Sequence, residues 1–145
     1  MIFIAGDKHG FSAIQYVISY LTDNNIAFKN LGVLNGDADE KLENFLPKIA
    51  SNVLSNHGNS GIVSCGAGIG VEVGINKFKG IRACLANQPK IAKWGKIYDM
   101  CNVLCIPGWE INKETIYSIL DEWFSNSYDG NVDRLKMFKA FDSWK

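Results

Sequence analysis

The segment Cys65-Gly66-Ala67-Gly68-Ile69-Gly70 is where residue type and spacing most directly suggest chemistry. It follows the apolar run Gly61-Ile62-Val63-Ser64 and precedes a helical pattern, so it reads as a strand-to-helix loop. Gly66, Gly68 and Gly70 let backbone approach a ligand closely, and the free N–H groups of the following helix point to the same spot. Such a loop suits a phosphate, a carboxylate or a developing enediolate oxygen. It also suits a tight turn required only for packing. Its glycine spacing, on the third strand, does not match the G-x-G-x-x-G of dinucleotide-binding folds. A helix N-terminus favours negative charge beside it, so the Cys65 thiol could act as a general base toward a carbon-bound proton or as a nucleophile. The other reading is a small buried hydrophobe.

A second polar cluster, Asp7-Lys8-His9-Gly10, closes the first strand. Of the two histidines, His57 lies in a loop without chemical neighbours and reads as solvated, which leaves His9 as the side chain suited to proton transfer near neutral pH. The plainer reading makes His9 a helix-start residue with Asp7 as its cap. Tyr98-Asp99 precedes the fifth strand. Arg134 and Lys136 sit near the C-terminus and matter only if that segment reaches an anionic group, since otherwise both are solvated surface.

These residues need a scaffold, and the pattern supplies one. Apolar runs at Ile2 to Gly6, Ile26 to Leu31, Gly61 to Cys65, Ile81 to Ala86 and Asn102 to Ile106 read as strands. Between them run helical periodicities: Phe11, Ile14, Val17, Ile18 and Leu21; Ile49, Val53 and Leu54, with Pro47 in the early turns; Ile69 to Phe78; and Gln88 to Met100, opened by Pro89. A polar, acid-rich connection spans Asn35 to Glu43. Ile111, Ile116, Ile119, Leu120, Trp123 and Phe124 mark a fifth helix. After Tyr128-Asp129-Gly130 comes a sixth with Leu135, Phe138, Phe141 and Trp144, which packs either on a second copy or on its own sheet.

Alternating strands and helices predict a parallel five-stranded sheet covered on both faces, an α/β three-layer fold with one domain over residues 1–145. Ligands of such sheets bind at the carboxyl ends of the strands, near a topological switch point. The 145 residues carry a net charge of zero, so no basic field exists to hold nucleic acid. No apolar run is long enough to span a bilayer, and the start of the chain lacks the basic leader of a signal peptide. A cytoplasmic location is expected, with Cys84, Cys101 and Cys105 as free thiols, since the four cysteines have no paired metal-ligand spacing.

Several stretches together resemble the type B ribose-5-phosphate isomerase and galactose-6-phosphate isomerase family. They are Gly6-Asp7 with His9-Gly10-Phe11, Ser64 to Gly70, Ile75-Asn76-Lys77-Phe78, Gly80-Ile81-Arg82-Ala83, Asn102-Val103-Leu104 and Tyr128-Asp129-Gly130. The resemblance covers most of the chain. It implies a Rossmann-like fold, a dimer with the site between subunits, and aldose–ketose isomerisation of a sugar phosphate through a cis-enediolate without metal or organic cofactor. It places Cys65 as the base that moves the proton between C1 and C2, with the amides of Gly66, Ala67, Gly68 and Gly70 around the enediolate oxygens. Asp7 matches the family's strand-one aspartate. His9 falls one place after the histidine of ribose-type members, and its Asp-x-His-Gly spacing resembles one galactose-6-phosphate isomerase subunit. Ala67 replaces a Thr or Ser of ribose-type members. Tyr98-Asp99 aligns with their ring-opening His-Asn pair, Asp99 being able to take that role. Their terminal arginines align with Val132 and Lys136, with Arg134 as a substitute. Two alternatives stay open beside this: isomerisation of an unphosphorylated or modified sugar, and a non-catalytic subunit that binds a sugar phosphate.

Overall fold

The computed structural model describes residues 1–36 and 39–144. Asp37 and Ala38, within the connection expected from Asn35 to Glu43, and Lys145 lie outside the described residues. The elements alternate as expected: β1 (Ile2–Gly6), α1 (Phe11–Asp23), β2 (Phe28–Asn30), α2 (Leu42–Leu54), β3 (Ser60–Cys65), α3 (Ile69–Ile75), β4 (Ala83–Leu85), α4 (Pro89–Asp99), β5 (Val103–Pro107), α5 (Lys113–Ser125) and α6 (Val132–Asp142). All strand pairs are parallel, in the order β2-β1-β3-β5-β4.

Every residue of β1 and β5 is buried because helices cover both faces of the sheet. Alternation along each strand then divides the core in two. Ile2, Ile4, Ile62, Leu104 and Ile106 meet α1, α4 and α5 through Ile14, Val17, Leu21, Ala92, Ile119 and Trp123. Phe3, Ala5, Val63, Val103 and Cys105 meet α2 and α3 through Phe45, Ile49, Val53, Val71 and Ile75. Right-handed crossovers require this split: leftward connections pass over one face and rightward ones over the other.

Among the described residues, Ser64 is a polar residue fully buried in the core. Its hydroxyl donates to the Ile106 carbonyl at 2.7 Å and ties β3 to β5 where both approach the loops. Ser64→Ala should cost about 1 kcal/mol, read as a lower urea midpoint at unchanged slope.

Three elements are shorter than their apolar runs predict. β2 covers only Phe28–Asn30 and β4 only Ala83–Leu85, the two edge strands, each with a single neighbour to pair with. Helix α3 stops at Ile75, where Asn76 turns to another task. The Asn76 side chain accepts from the Ala83 N–H at 2.9 Å and donates to the Ala83 carbonyl at 3.1 Å, while Glu72 accepts from the Leu85 N–H at 2.8 Å. Side chains thus satisfy the open edge of β4 and deny it to another strand. Pro47 stands in the sixth position of α2, in its second turn and so within the early turns expected. Pro89 opens α4 as expected, and Asn112 caps α5 by accepting from the Thr115 N–H at 2.8 Å.

Helix α6 touches its own chain through a buried Phe138 under the Arg82 guanidinium, 5.2 Å from the ring centre, and through Asp142, which accepts from the Gly80 N–H at 2.9 Å. Phe141 and Trp144 remain exposed.

Candidate active site

The connection after β1 leads toward β2 and the one after β3 toward β4, on opposite sides. The carboxyl ends of these neighbouring strands therefore flank a topological switch point. Asp7, His9 and Cys65 to Gly70 all lie at this edge, as predicted, and the turn after β5 joins them.

Glycines let the three loops interlock. A Cβ on Gly10 would lie 2.4 Å from the Ser64 carbonyl oxygen, and one on Gly108 would lie 2.1 Å from that of His9. Gly68 takes a left-handed φ of 78° and turns the chain into α3. The Gly108 N–H donates to the Cys65 carbonyl at 2.8 Å, and the Trp109 N–H to that of Gly66 at 2.9 Å. Trp109 takes up the clearance at Gly66: a Cβ there would come within 2.4 Å of the indole.

Cys65 is buried on the α2/α3 side of the sheet, its sulfur 3.7 Å from where a Cβ on Gly70 would stand. It therefore lies against the first turn of α3, beside the loop that its own residue opens. Gly66 and Gly68 are buried, whereas Ala67, Ile69 and Gly70 are exposed. Asp7 acts on its own turn, where one carboxylate oxygen accepts from the His9 N–H at 3.0 Å and the Gly10 N–H at 2.9 Å. Asp7 thus holds the turn before α1 and does not cap the helix: the cap position is Gly10, and among the described residues no side chain accepts from the first turn. The His9 side chain is left at the exposed lip, in a T-shaped contact with Trp109 at 5.3 Å between ring centres.

A cleft of about 830 Å³ opens beside these loops, lined by Gly66, Ala67, Leu85, Asn87, Pro107, Gly108, Trp109 and Glu110. Sequence reasoning missed Asn87, Trp109 and Glu110. The signal was available, because Pro107-Gly108 ends a strand at the same edge as Cys65.

The remaining predicted residues are elsewhere. Helix α4 runs back from the carboxyl edge, so Tyr98 and Asp99 at its end are exposed at the amino edge. There the Asp129 N–H donates to the Ile97 carbonyl at 3.1 Å, and the Arg134 guanidinium lies over the Tyr98 ring, 5.3 Å from its centre. Arg134 also forms an ion pair with Asp129. The Asn131 N–H, and then Arg134, hold the Asp129 carboxyl below its usual range. Lys136 is exposed on the same helix. Within one chain, Cys65 therefore lies at one sheet edge and Tyr98, Asp99 and Arg134 at the other.

A switch-point cleft on a parallel α/β/α sheet, with a thiol beside a glycine loop, defines a Rossmann-like protein equipped for small-molecule chemistry. A family model described as Ribose/Galactose Isomerase matches residues 2–139, and the chain belongs to that family. It is 30% identical over 129 residues to a probable ribose-5-phosphate isomerase B of Mycoplasma pneumoniae, covering 89% of this chain and 85% of the relative. Among solved structures, a ribose 5-phosphate isomerase of Thermotoga maritima superimposes with a TM-score of 0.92 at 28% identity, covering 99% of this chain and 97% of the other. The ribose-5-phosphate isomerase B of Mycoplasma genitalium, solved with bound ribulose-5-phosphate, gives 0.88 at 27% identity, covering 97% and 93%. The protein is thus a sugar-phosphate isomerase of the aldose–ketose class. Among the described residues, no helix is long and apolar enough to cross a membrane.

Proposed function

We propose that the protein interconverts an aldose phosphate and its ketose through a cis-enediolate, with Cys65 as the general base. The observation that carries this reading is the Cys65 sulfur packed against the first turn of α3, next to the exposed Ala67, Ile69 and Gly70. The thiolate takes the proton from C2 of the aldose, the electron pair moves toward the carbonyl oxygen, and the same sulfur returns the proton to C1. Backbone N–H groups from Gly66 to Gly70 receive the oxygen charge that develops between these steps. Asp7 acts as a positioning residue by holding the turn that presents His9, whose ring exchanges a proton with the substrate hydroxyls at the lip. Solvent deuterium should appear on the carbon next to the carbonyl of ribulose 5-phosphate or galactose 6-phosphate. A folded protein that washes no label into either would count against the reading.

The separation of Cys65 from Tyr98, Asp99 and Arg134 gives the quaternary part of the proposal. Tyr98, Asp99, Arg134 and Lys136 serve the Cys65 loop of a second copy, and α6, with Phe141 and Trp144 exposed, packs against that copy. Cys65→Ala and a double Arg134→Ala/Lys136→Ala variant should each be impaired alone. Co-expressed, they should regain turnover, since a mixed dimer holds one site with both halves intact. A mixture no more active than its parents would place each site within one chain.

A second reading rests on the cleft lining, which contains Glu110 and neither lysine nor arginine. Ala67 adds no hydroxyl. An unphosphorylated sugar fits that rim, and comparable kcat/KM for ribose and ribose 5-phosphate would favour it.

A further inference from the structure

Trp109 is a costly residue to leave in water. The residue is 56% exposed, whereas Trp123 in the core is 1% exposed. An aromatic surface of that size at a loop tip normally turns inward or meets something. Here the fold holds it outward. The Trp109 backbone N–H is tied to the Gly66 carbonyl, the six-membered ring rests on the bare Cα of Gly66, and His9 braces the indole in a T-shaped contact. The next residue, Glu110, has a left-handed φ of 52°, which a residue with a Cβ rarely adopts. Strained backbone of this kind persists where surrounding structure enforces it, commonly at ligand sites. Trp109 lines the 830 Å³ cleft.

From this arrangement we infer that Trp109 is the sugar platform and specificity residue of the cleft, stacking on a C–H face of the bound carbohydrate while Asn87 and Glu110 take its hydroxyls. The C–H bonds of a sugar carry partial positive charge and meet the negative face of an aromatic ring, the same electrostatics that draws cations to indole. Asn87 can donate and accept, and a Glu110 carboxylate accepts from hydroxyl groups but repels a phosphate. This end of the cleft therefore selects the carbohydrate part of the substrate, and any phosphate lies away from it. The inference rests on the isomerase reading for the placement of substrate beside Cys65, but platform binding can be observed without turnover.

The test uses full-length protein labelled with 5-fluorotryptophan, whose four tryptophans give separate fluorine signals. The signal lost in Trp109→Phe identifies the platform. It should move saturably with ribulose 5-phosphate, galactose 6-phosphate, ribose or galactose, and stay in place with inorganic phosphate. If an isomerisable sugar is found, Trp109→Ala should raise its KM about tenfold, the scale of one aromatic contact, and leave kcat within a few-fold. Trp109→Phe should recover most of that loss. A Trp109 signal that no sugar moves, or that inorganic phosphate moves equally, overturns the platform. A signal that moves with sugars in a protein without turnover upholds the platform and removes the isomerase reading instead. Should Trp109→Ala fail to fold, the fluorine titration of the wild-type chain decides alone.

Discussion

Replacing Cys65 by alanine should lower kcat by about two to four orders of magnitude, the range for loss of a positioned general base. The substitution is small, because the thiol sits in an apolar cluster with Ala5, Val63 and Val71, and alanine leaves the backbone of the loop untouched. Denaturation should therefore change little while deuterium wash-in falls with turnover. Cys105 supplies the control. It belongs to the same apolar cluster, and burial, followed by the nearby Glu72 carboxylate, pushes its thiol well above the ordinary range. A thiol held protonated cannot serve as a base at neutral pH, so Cys105→Ala should keep its turnover. Equal losses in the two variants would show that packing, not a base at position 65, had been removed.

Gly108→Ala should have the next largest effect, because it strikes all three loops at once. The added methyl would stand 2.1 Å from the His9 carbonyl oxygen and 3.0 Å from the Gly10 Cα, both backbone atoms that cannot rotate aside. The Gly108 N–H meanwhile holds the Cys65 and Gly66 carbonyls at 2.8 Å and 3.0 Å. Separating the loops should cost roughly 1–3 kcal/mol of stability, as overpacking does. A displacement near 1 Å between Cys65 and the rim should reduce turnover by about a hundredfold. Urea unfolding and kcat measured on the same preparations check both parts. Gly58→Ala is the comparison: its methyl would meet only the Asn56 side chain, at 3.3 Å, in a loop at the opposite sheet edge. That change should leave both quantities near wild type.

Local patterning determined much of this protein. Apolar runs and 3.6-residue periodicities are properties of neighbouring residues, so five strands and six helices were legible in order, as was the glycine loop after β3. The carboxyl-edge position of Asp7, His9 and Cys65 followed too, because a parallel sheet puts all its strand ends on one side. The lengths of β2 and β4 did not follow. An apolar residue such as Ile81 reads as strand, but whether it pairs depends on a neighbour contributed from elsewhere in the chain.

Only the tertiary structure decided which residues meet. The order β2-β1-β3-β5-β4 creates the switch point, and interlocking at Gly10, Gly66 and Gly108 brings Trp109 over the loop that follows Cys65. Trp109 is 44 residues from Cys65 in sequence, and no periodicity links the two. The same topology separates Tyr98 and Arg134 from Cys65, because α4 must return to the amino edge before β5 can run parallel to β3. Residue types and spacing thus named candidate residues at both sheet edges. The physical reason they could not join them is that contact between distant segments is set by strand order and loop packing, neither of which is written in any local pattern.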